Sequence, residues 1–259
     1  MGIELPTKRT EVVSEVGLTT MLLHGPPKIG KSTIANSFPN AMFVAAEEGL
    51  KFLEAYKVGI KTWEDFMELR QKIQKEKHDF KTIVFDTASA LFKLCEDYVC
   101  RKHNIEHPSD EEWGKGWSFL RDSFQKEIMP LASPDTKGRI RYGLLFLGHS
   151  KEVEVKGRVT KTKRTVCDLS GTARKVLLPM VDCVGYCGFG SDKYGEPTKK
   201  RIVIFSPSET IEAGDRTGKL PPTIEMREKN WYKLLQEKYG KPNEEEESET
   251  PIKRPKKRV

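Results

Sequence analysis

The chain has 259 residues, a formal net charge of +7 and a 37% hydrophobic content, enough for one large α/β domain with a buried core. No stretch approaches the roughly 20 apolar residues of a membrane span, and Met1 to Glu15 lacks the apolar core of a secretory signal. The modest positive charge permits a polyanionic partner without establishing one.

In chain order, Thr20 to His24 reads as an apolar strand and Ser32 to Phe38 as a helix. Between them Gly25-Pro26-Pro27-Lys28-Ile29-Gly30-Lys31-Ser32 is a full match to G-x-x-x-x-G-K-[ST], with Thr33 following. In that pattern, glycines let successive backbone N–H groups face one anion, and a helix N-terminus adds partial positive charge. Lys31 reaches the β- and γ-phosphates and the Ser32 hydroxyl ligates Mg²⁺. A nucleoside triphosphate site follows, with ATP and Mg²⁺ as the expected cofactors.

Ala41 to Ala46 is a second strand, and Trp63 to Lys77 a helix with Trp63, Phe66, Leu69 and Ile73 on one face. Thr82 to Asp86 is a short, β-branched strand ending in a carboxylate. A helix from Ala88 to about His103, a polar stretch from Asn104 to Gly116 and a helix from about Trp117 to Met129 come next. Arg141 to His149 is a further strand; Asp182 to Phe189 and Arg201 to Phe205 add strands toward a sheet edge. Alternating strands and helices predict a mostly parallel sheet with helices on both faces. The expected organisation is an N-terminal segment (1–17), a core domain (18–239) and an acidic-then-basic tail (240–259).

Several side chains carry chemistry in this frame. Asp86, at a strand tip beside the phosphate loop, is placed to hold Mg²⁺ through water. The alternative is an N-cap for the next helix, with Thr87 and Ser89 as competing caps. Thr87, not Glu, follows Asp86, so the water-activating carboxylate must come from elsewhere. Glu47 and Glu48, after the second strand, stand where a carboxylate faces the γ-phosphate; the alternative is a solvated loop charge. His149, at a core-strand tip, is either a γ-phosphate sensor or a structural histidine. Lys151 to Val166 alternates about Gly157 as a hairpin or mobile loop, six basic residues against two acidic. Lys156, Arg158, Lys161, Lys163 and Arg164 are its candidate contacts to a nucleic-acid backbone, the alternative being a solvated ribbon. The missing aromatics there point to backbone rather than base contact. His107, Trp113 and Trp117 mark a second candidate DNA loop, or a lid.

The order of phosphate loop, Ala46-Glu47-Glu48-Gly49-Leu50, strand-terminal Asp86 and Leu147-Gly148-His149-Ser150 resembles the RecA-type recombinase core. It is most similar to the compact phage-encoded ATPases of the Sak group, over about residues 18 to 225, including Gly214 to Ile224. This resemblance implies a RecA-like P-loop ATPase acting on single-stranded DNA in annealing or strand exchange. It implies Glu47 as the catalytic glutamate, and His149, where Gln is common, as the sensor relaying to the DNA loop. Arg216, in a polar turn with Lys219, is a candidate for the cation that ring-forming ATPases send into a neighbouring subunit, or an ordinary surface turn. A homo-oligomer, ring or filament, follows from the first reading.

A helicase or packaging motor, and a nucleotide-dependent scaffold or loader, are the rival classes. The five cysteines form no C-x-x-C pair, which fits reduced thiols in the cytoplasm, the host's if the protein is phage-encoded; a metal role for Cys183 and Cys187 is the alternative. Glu244 to Glu247 and Lys253 to Arg258 give the tail too little apolar surface to fold. It suits DNA, a single-strand-binding protein, the protein's own basic groove, or nuclear import.

Overall fold

The computed structural model describes residues 7, 13–134, 140–156, 161–191, 196–227 and 230–241. In order the elements are β1 (Thr20–Gly25), α1 (Lys31–Ala35), β2 (Ala41–Ala45), β3 (Tyr56–Gly59), α2 (Trp63–Lys75), β4 (Thr82–Asp86), α3 (Ala88–His103) and α4 (Lys115–Ala132). They continue as β5 (Gly143–Lys156), β6 (Lys161–Cys167), α5 (Gly171–Met180), β7 (Cys183–Ser191), β8 (Pro197–Ile204), β9 (Gly214–Asp215), β10 (Thr223–Glu225) and α6 (Trp231–Lys238).

Six strands form a parallel core in the order β7-β1-β5-β4-β2-β3, extended past β7 by antiparallel β8 and β10. This is the mostly parallel α/β sheet that the alternating pattern predicts. Period-2 alternation sorts each core strand into two layers. Leu22, Ile83, Phe85, Leu144 and Phe146 point to one face, buried under α2, α3, α4 and α5. Met21, Leu23, Val84, Leu145 and Leu147 point to the other, under α1 and α6. Trp231 and Leu235 of α6 are fully buried there, which seals the shorter side.

Local chemistry fixes the helix starts. Thr62 and Asp65 form a reciprocal capping box at α2, with Asp65 N donating to Thr62 Oγ1 at 3.1 Å and Thr62 N to Asp65 Oδ2 at 2.9 Å. Ser170 caps α5 through Ala173 N at 3.3 Å. Edge strand β3 and helix α5 are additions to the predicted elements, and α1 ends at Ala35 rather than Phe38. No helix among the described residues is long and apolar enough to cross a membrane. The tail from 242 onward lies outside the described residues, as does most of the N-terminal segment.

Candidate functional site

The sheet order sets the site. Gly25 ends β1, His149 stands level with it on β5, Asp86 ends β4 beside Leu147, and Ala45 of β2 pairs with Asp86. The phosphate loop, His149, Asp86 and Glu47 therefore occupy one row along the carboxyl edge, spaced by strand separations of about 4.8 Å.

Gly30 holds φ +107°, a left-handed conformation that glycine adopts without penalty, and turns the loop into α1. Gly25 sits so close to the Cys187 carbonyl that no side chain fits there. Because α1 has only five residues, its dipole is small; the anion cradle rests mainly on the loop N–H groups and Lys31. Lys31 is buried and donates from Nζ to the carbonyl oxygens of Gly25 and Pro26, both at 2.9 Å. Burial lowers its pKa below the usual lysine range, against the pull of Asp86.

Ser32 Oγ donates to Asp86 Oδ2 at 2.9 Å, across the intervening strand β5. Burial raises the Asp86 carboxyl above the ordinary carboxylate range; the Ser32 hydrogen bond opposes this and nearby Glu47 adds to it. A hydroxyl and a desolvated carboxylate side by side are a donor set suited to Mg²⁺, which restores the charge balance that burial disturbs. ATP-bound Mg²⁺ thus fits Ser32 and Asp86, and Lys31 fits the phosphates. The helix cap assigned to Asp86 as an alternative belongs to Thr87, whose Oγ1 accepts from Ala90 N at 3.4 Å.

Thr87 is also the residue that sequence reading missed most directly. Buried itself, it donates from Oγ1 to Glu47 Oε1 at 2.9 Å, so the residue that follows Asp86 fixes the direction of the carboxylate that follows β2. Glu47 and Glu48 are both exposed, as the solvated-loop alternative expects, and the Thr87 bond is what distinguishes Glu47. His149 Nδ1 is buried without a hydrogen-bond partner among the described residues, and the ring is near enough to Asp86 to act on its titration. Arg201 of β8, distant in sequence, donates from Nη1 to Ile29 O at 3.3 Å and lies beside Gly30, bracing the loop from outside.

Beyond the sheet, β5 runs on into an antiparallel ribbon with β6. Register divides its charges. Glu152, Glu154, Lys161 and Lys163 share one face, with Lys163 Nζ 3.3 Å from Glu152; Val153, Val155 and Arg164 share the other. Lys151 pairs with Asp168 at 2.9 Å. The positive face expected from the residue count is thus a mixed-charge face over the described residues, because carboxylates and lysines alternate onto the same side. Arg164 has a buried Nε without a partner among the described residues. The Lys156 side chain and Arg158 lie outside them.

Three other expected features are placed elsewhere. Arg216 donates to Pro179 O at 2.8 Å and lies 3.8 Å from Asp182, whose carboxylate accepts from Thr20 N. It therefore stands level with the start of β1, roughly 16 Å of strand from Gly25, and is not brought to the phosphate loop within the chain. Its turn is organised by Asp215, which accepts from the backbone N–H of Thr217, Lys219 and Leu220 at 2.8–2.9 Å. Trp117 packs edge-on against His107, whereas Trp113 is exposed beside Asp110, Glu111 and Glu112, carboxylates that repel a phosphate backbone. All five cysteines are free and buried, with burial pushing the Cys167 and Cys187 thiols up to about 12; the metal alternative for Cys183 and Cys187 finds no ligand cluster among the described residues.

A family model described as an AAA domain matches residues 19–217. None of the curated proteins matches the chain. Among solved structures, the KaiC-like protein PH0186 from the hyperthermophilic archaeon Pyrococcus horikoshii OT3 is similar, at 15% identity over 73% of this chain and 78% of that chain, with a TM-score of 0.41.

Proposed function

The chain belongs to the AAA-domain family, and from that premise we propose that it is a magnesium-dependent ATPase on a RecA-like α/β fold that binds single-stranded DNA and promotes annealing or strand exchange. The observation that carries the ATPase reading is the Ser32–Asp86 hydrogen bond at 2.9 Å beside Lys31. It joins a hydroxyl and a carboxylate from separate elements at one point of the carboxyl edge. Lys31 neutralises charge on the β- and γ-phosphates. Ser32 and Asp86 hold Mg²⁺, which supplies further charge neutralisation to the transferring phosphoryl group when bound. Glu47, aimed by Thr87, orients the attacking water and takes its proton. His149 Nδ1 reads the γ-phosphate from the adjacent strand.

The DNA reading is supported by the ribbon that continues from the His149 strand, with Lys161, Lys163 and Arg164 as phosphate contacts. The carboxylates Glu152 and Glu154 on the lysine face favour a second reading, a nucleotide-dependent scaffold or loader that engages a protein. We place the protein in the cytoplasm as a ring or filament, with a single-strand-binding protein as a candidate partner. A role for Arg216 in a neighbouring site requires the amino edge of one copy to meet the carboxyl edge of the next, a head-to-tail contact. Mixing inactive Arg216→Ala and Lys31→Ala subunits then restores some hydrolysis; no recovery at any ratio removes that role.

The deciding experiment is ATP turnover with and without single-stranded DNA, using Lys31→Ala as the blank. Turnover that DNA raises by about tenfold or more supports the whole reading. Turnover indifferent to DNA leaves the scaffold, and DNA-dependent duplex unwinding points to a motor. No turnover above the blank removes the enzyme.

A further inference from the structure

His24 precedes the phosphate loop and has no part in the chemistry above, yet its ring is fully buried and satisfied on both sides. Nε2 lies 2.6 Å from the backbone oxygen of Glu212, which can only accept, so Nε2 carries the proton and donates. Nδ1 is then the acceptor for the Ser150 hydroxyl at 2.8 Å. Burial lowers the His24 pKa, in keeping with this neutral tautomer.

Both partners belong to the root of the ribbon. Ser150 is the first ribbon residue of β5, directly after His149, and it pairs with Cys167, the last residue of β6. The Glu212 carboxylate accepts from Cys167 N at 2.9 Å and is ion-paired with Arg174 of α5, whose Nη1 donates to Cys167 O at 3.1 Å. One imidazole is thus tied to β5 directly and to β6 through Glu212. On the other side, Lys31 uses two of its three donors on Gly25 and Pro26 carbonyls, the peptides that follow His24. A phosphate drawing on Lys31 acts on the backbone next to that ring. Slack is small: a Cβ at Gly148 would lie 2.6 Å from Cys167 Sγ, and 3.8 Å from His24 Cβ.

We propose that His24 is a positioning residue that transmits occupancy of the phosphate loop to both strands of the β5–β6 ribbon through Ser150 and Glu212. The proposal rests on the nucleotide-binding reading above but not on DNA binding. It assigns the ribbon a response to nucleotide by a route separate from His149, whose Nδ1 has no bond to the ribbon among the described residues.

The test is amide hydrogen exchange of the full chain, with and without a non-hydrolysable ATP analogue and Mg²⁺, read over residues 150–156 and 161–167. The unsubstituted protein should show exchange at the ribbon root changed by about threefold or more on nucleotide addition. Ser150→Ala, which leaves the buried ring in place, and His24→Gln, which keeps a donor for the Glu212 carbonyl but loses the Nδ1 acceptor, should bind nucleotide with affinity within about threefold while losing that response. A purely structural role would raise exchange equally in both ligand states. Nucleotide binding with no ribbon response in the unsubstituted protein overturns the proposal and leaves the nucleotide site standing. A full response retained in Ser150→Ala also overturns it, even if His24→Gln does not fold. Absence of nucleotide binding by the unsubstituted protein removes both readings together.

Discussion

Replacing Asp86 with Asn separates the chemistry of this carboxylate from its cost to the fold. Asp86 Oδ2 accepts from Ser32 Oγ, and Asn preserves the shape and an acceptor for that bond. Burial holds the Asp86 carboxyl above its ordinary range, so at neutral pH the ionised form is less favoured in the folded protein than in the unfolded chain. That destabilisation is present above the folded pKa and fades as pH falls through it. Removing a desolvated charge of this kind gains about 1 kcal/mol, which for a domain of this size raises Tm by roughly 2–4 °C. On the proposed function the same change removes a carboxylate that would hold Mg²⁺, a loss of several kcal/mol or on the order of 10²–10³ in turnover. Thermal unfolding of both proteins in EDTA, in a pH series from 7.5 down toward 3.8, alongside magnesium-dependent ATP turnover, measures both effects. Asn should melt at or above the parent at pH 7.5, with the gap narrowing as pH falls toward the ordinary carboxylate value of 3.8, and be nearly inactive. A Tm lowered by more than about 4 °C, or turnover within tenfold of the parent, would show that Asp86 is a structural residue.

Glu47→Gln keeps an acceptor for Thr87 but no proton acceptor for water, so ATP affinity should hold within about threefold while turnover falls by about 10²–10⁴; equal losses of binding and turnover would count against it. Thr87→Val should lower turnover by about tenfold through misdirection of Glu47, as read in single-turnover hydrolysis, and an unchanged rate would disconnect the pair. Gly25→Ala places a Cβ into the Cys187 carbonyl and 3.0 Å from Cys187 Cβ, which should cost about 3 kcal/mol and lower Tm by roughly 6–12 °C. A change under about 2 °C would contradict the close strand approach. Because burial lowers the His24 pKa below the unfolded value of 6.5, its contribution to stability is lost as pH falls through that value. Urea unfolding should show His24→Gln with a shallower acid limb between pH 7.5 and 5.5 than the parent, and parallel limbs would exclude His24 as the source.

Much of the core was legible because its signals are local. Apolar runs ending in Gly25 and Asp86 mark strands by composition, and α3 begins and ends at its predicted residues, with Thr87 as its cap. The phosphate loop carries its chemistry in eight consecutive residues. What escaped depends on partners far apart in the chain. Thr87 meets Glu47 across 40 residues, Arg201 meets Ile29 across 172, and His24 meets Glu212 across 188. Nothing in the neighbourhood of each residue announces such a contact. The ribbon misled for a different reason: counting charges along a strand adds both faces together, while cross-strand register decides which charges face the same solvent. Arg216 shows the limit of turn recognition, which identifies a polar turn without saying at which end of the sheet it lies.

One unbroken strand, β5, carries both His149 at the sheet edge and the root of the ribbon. That continuity imposes a parity rule on variation of this protein. An insertion of one residue between His149 and Ser150 would exchange the two sides of the β5 segment beyond it against an unmoved β6, turning Val153 and Val155 to the side of Lys161 and Lys163 and detaching Ser150 from His24. An insertion of two would preserve sidedness and merely lengthen the arm by about 7 Å. Homologous chains that differ in arm length at this point should therefore differ by even steps.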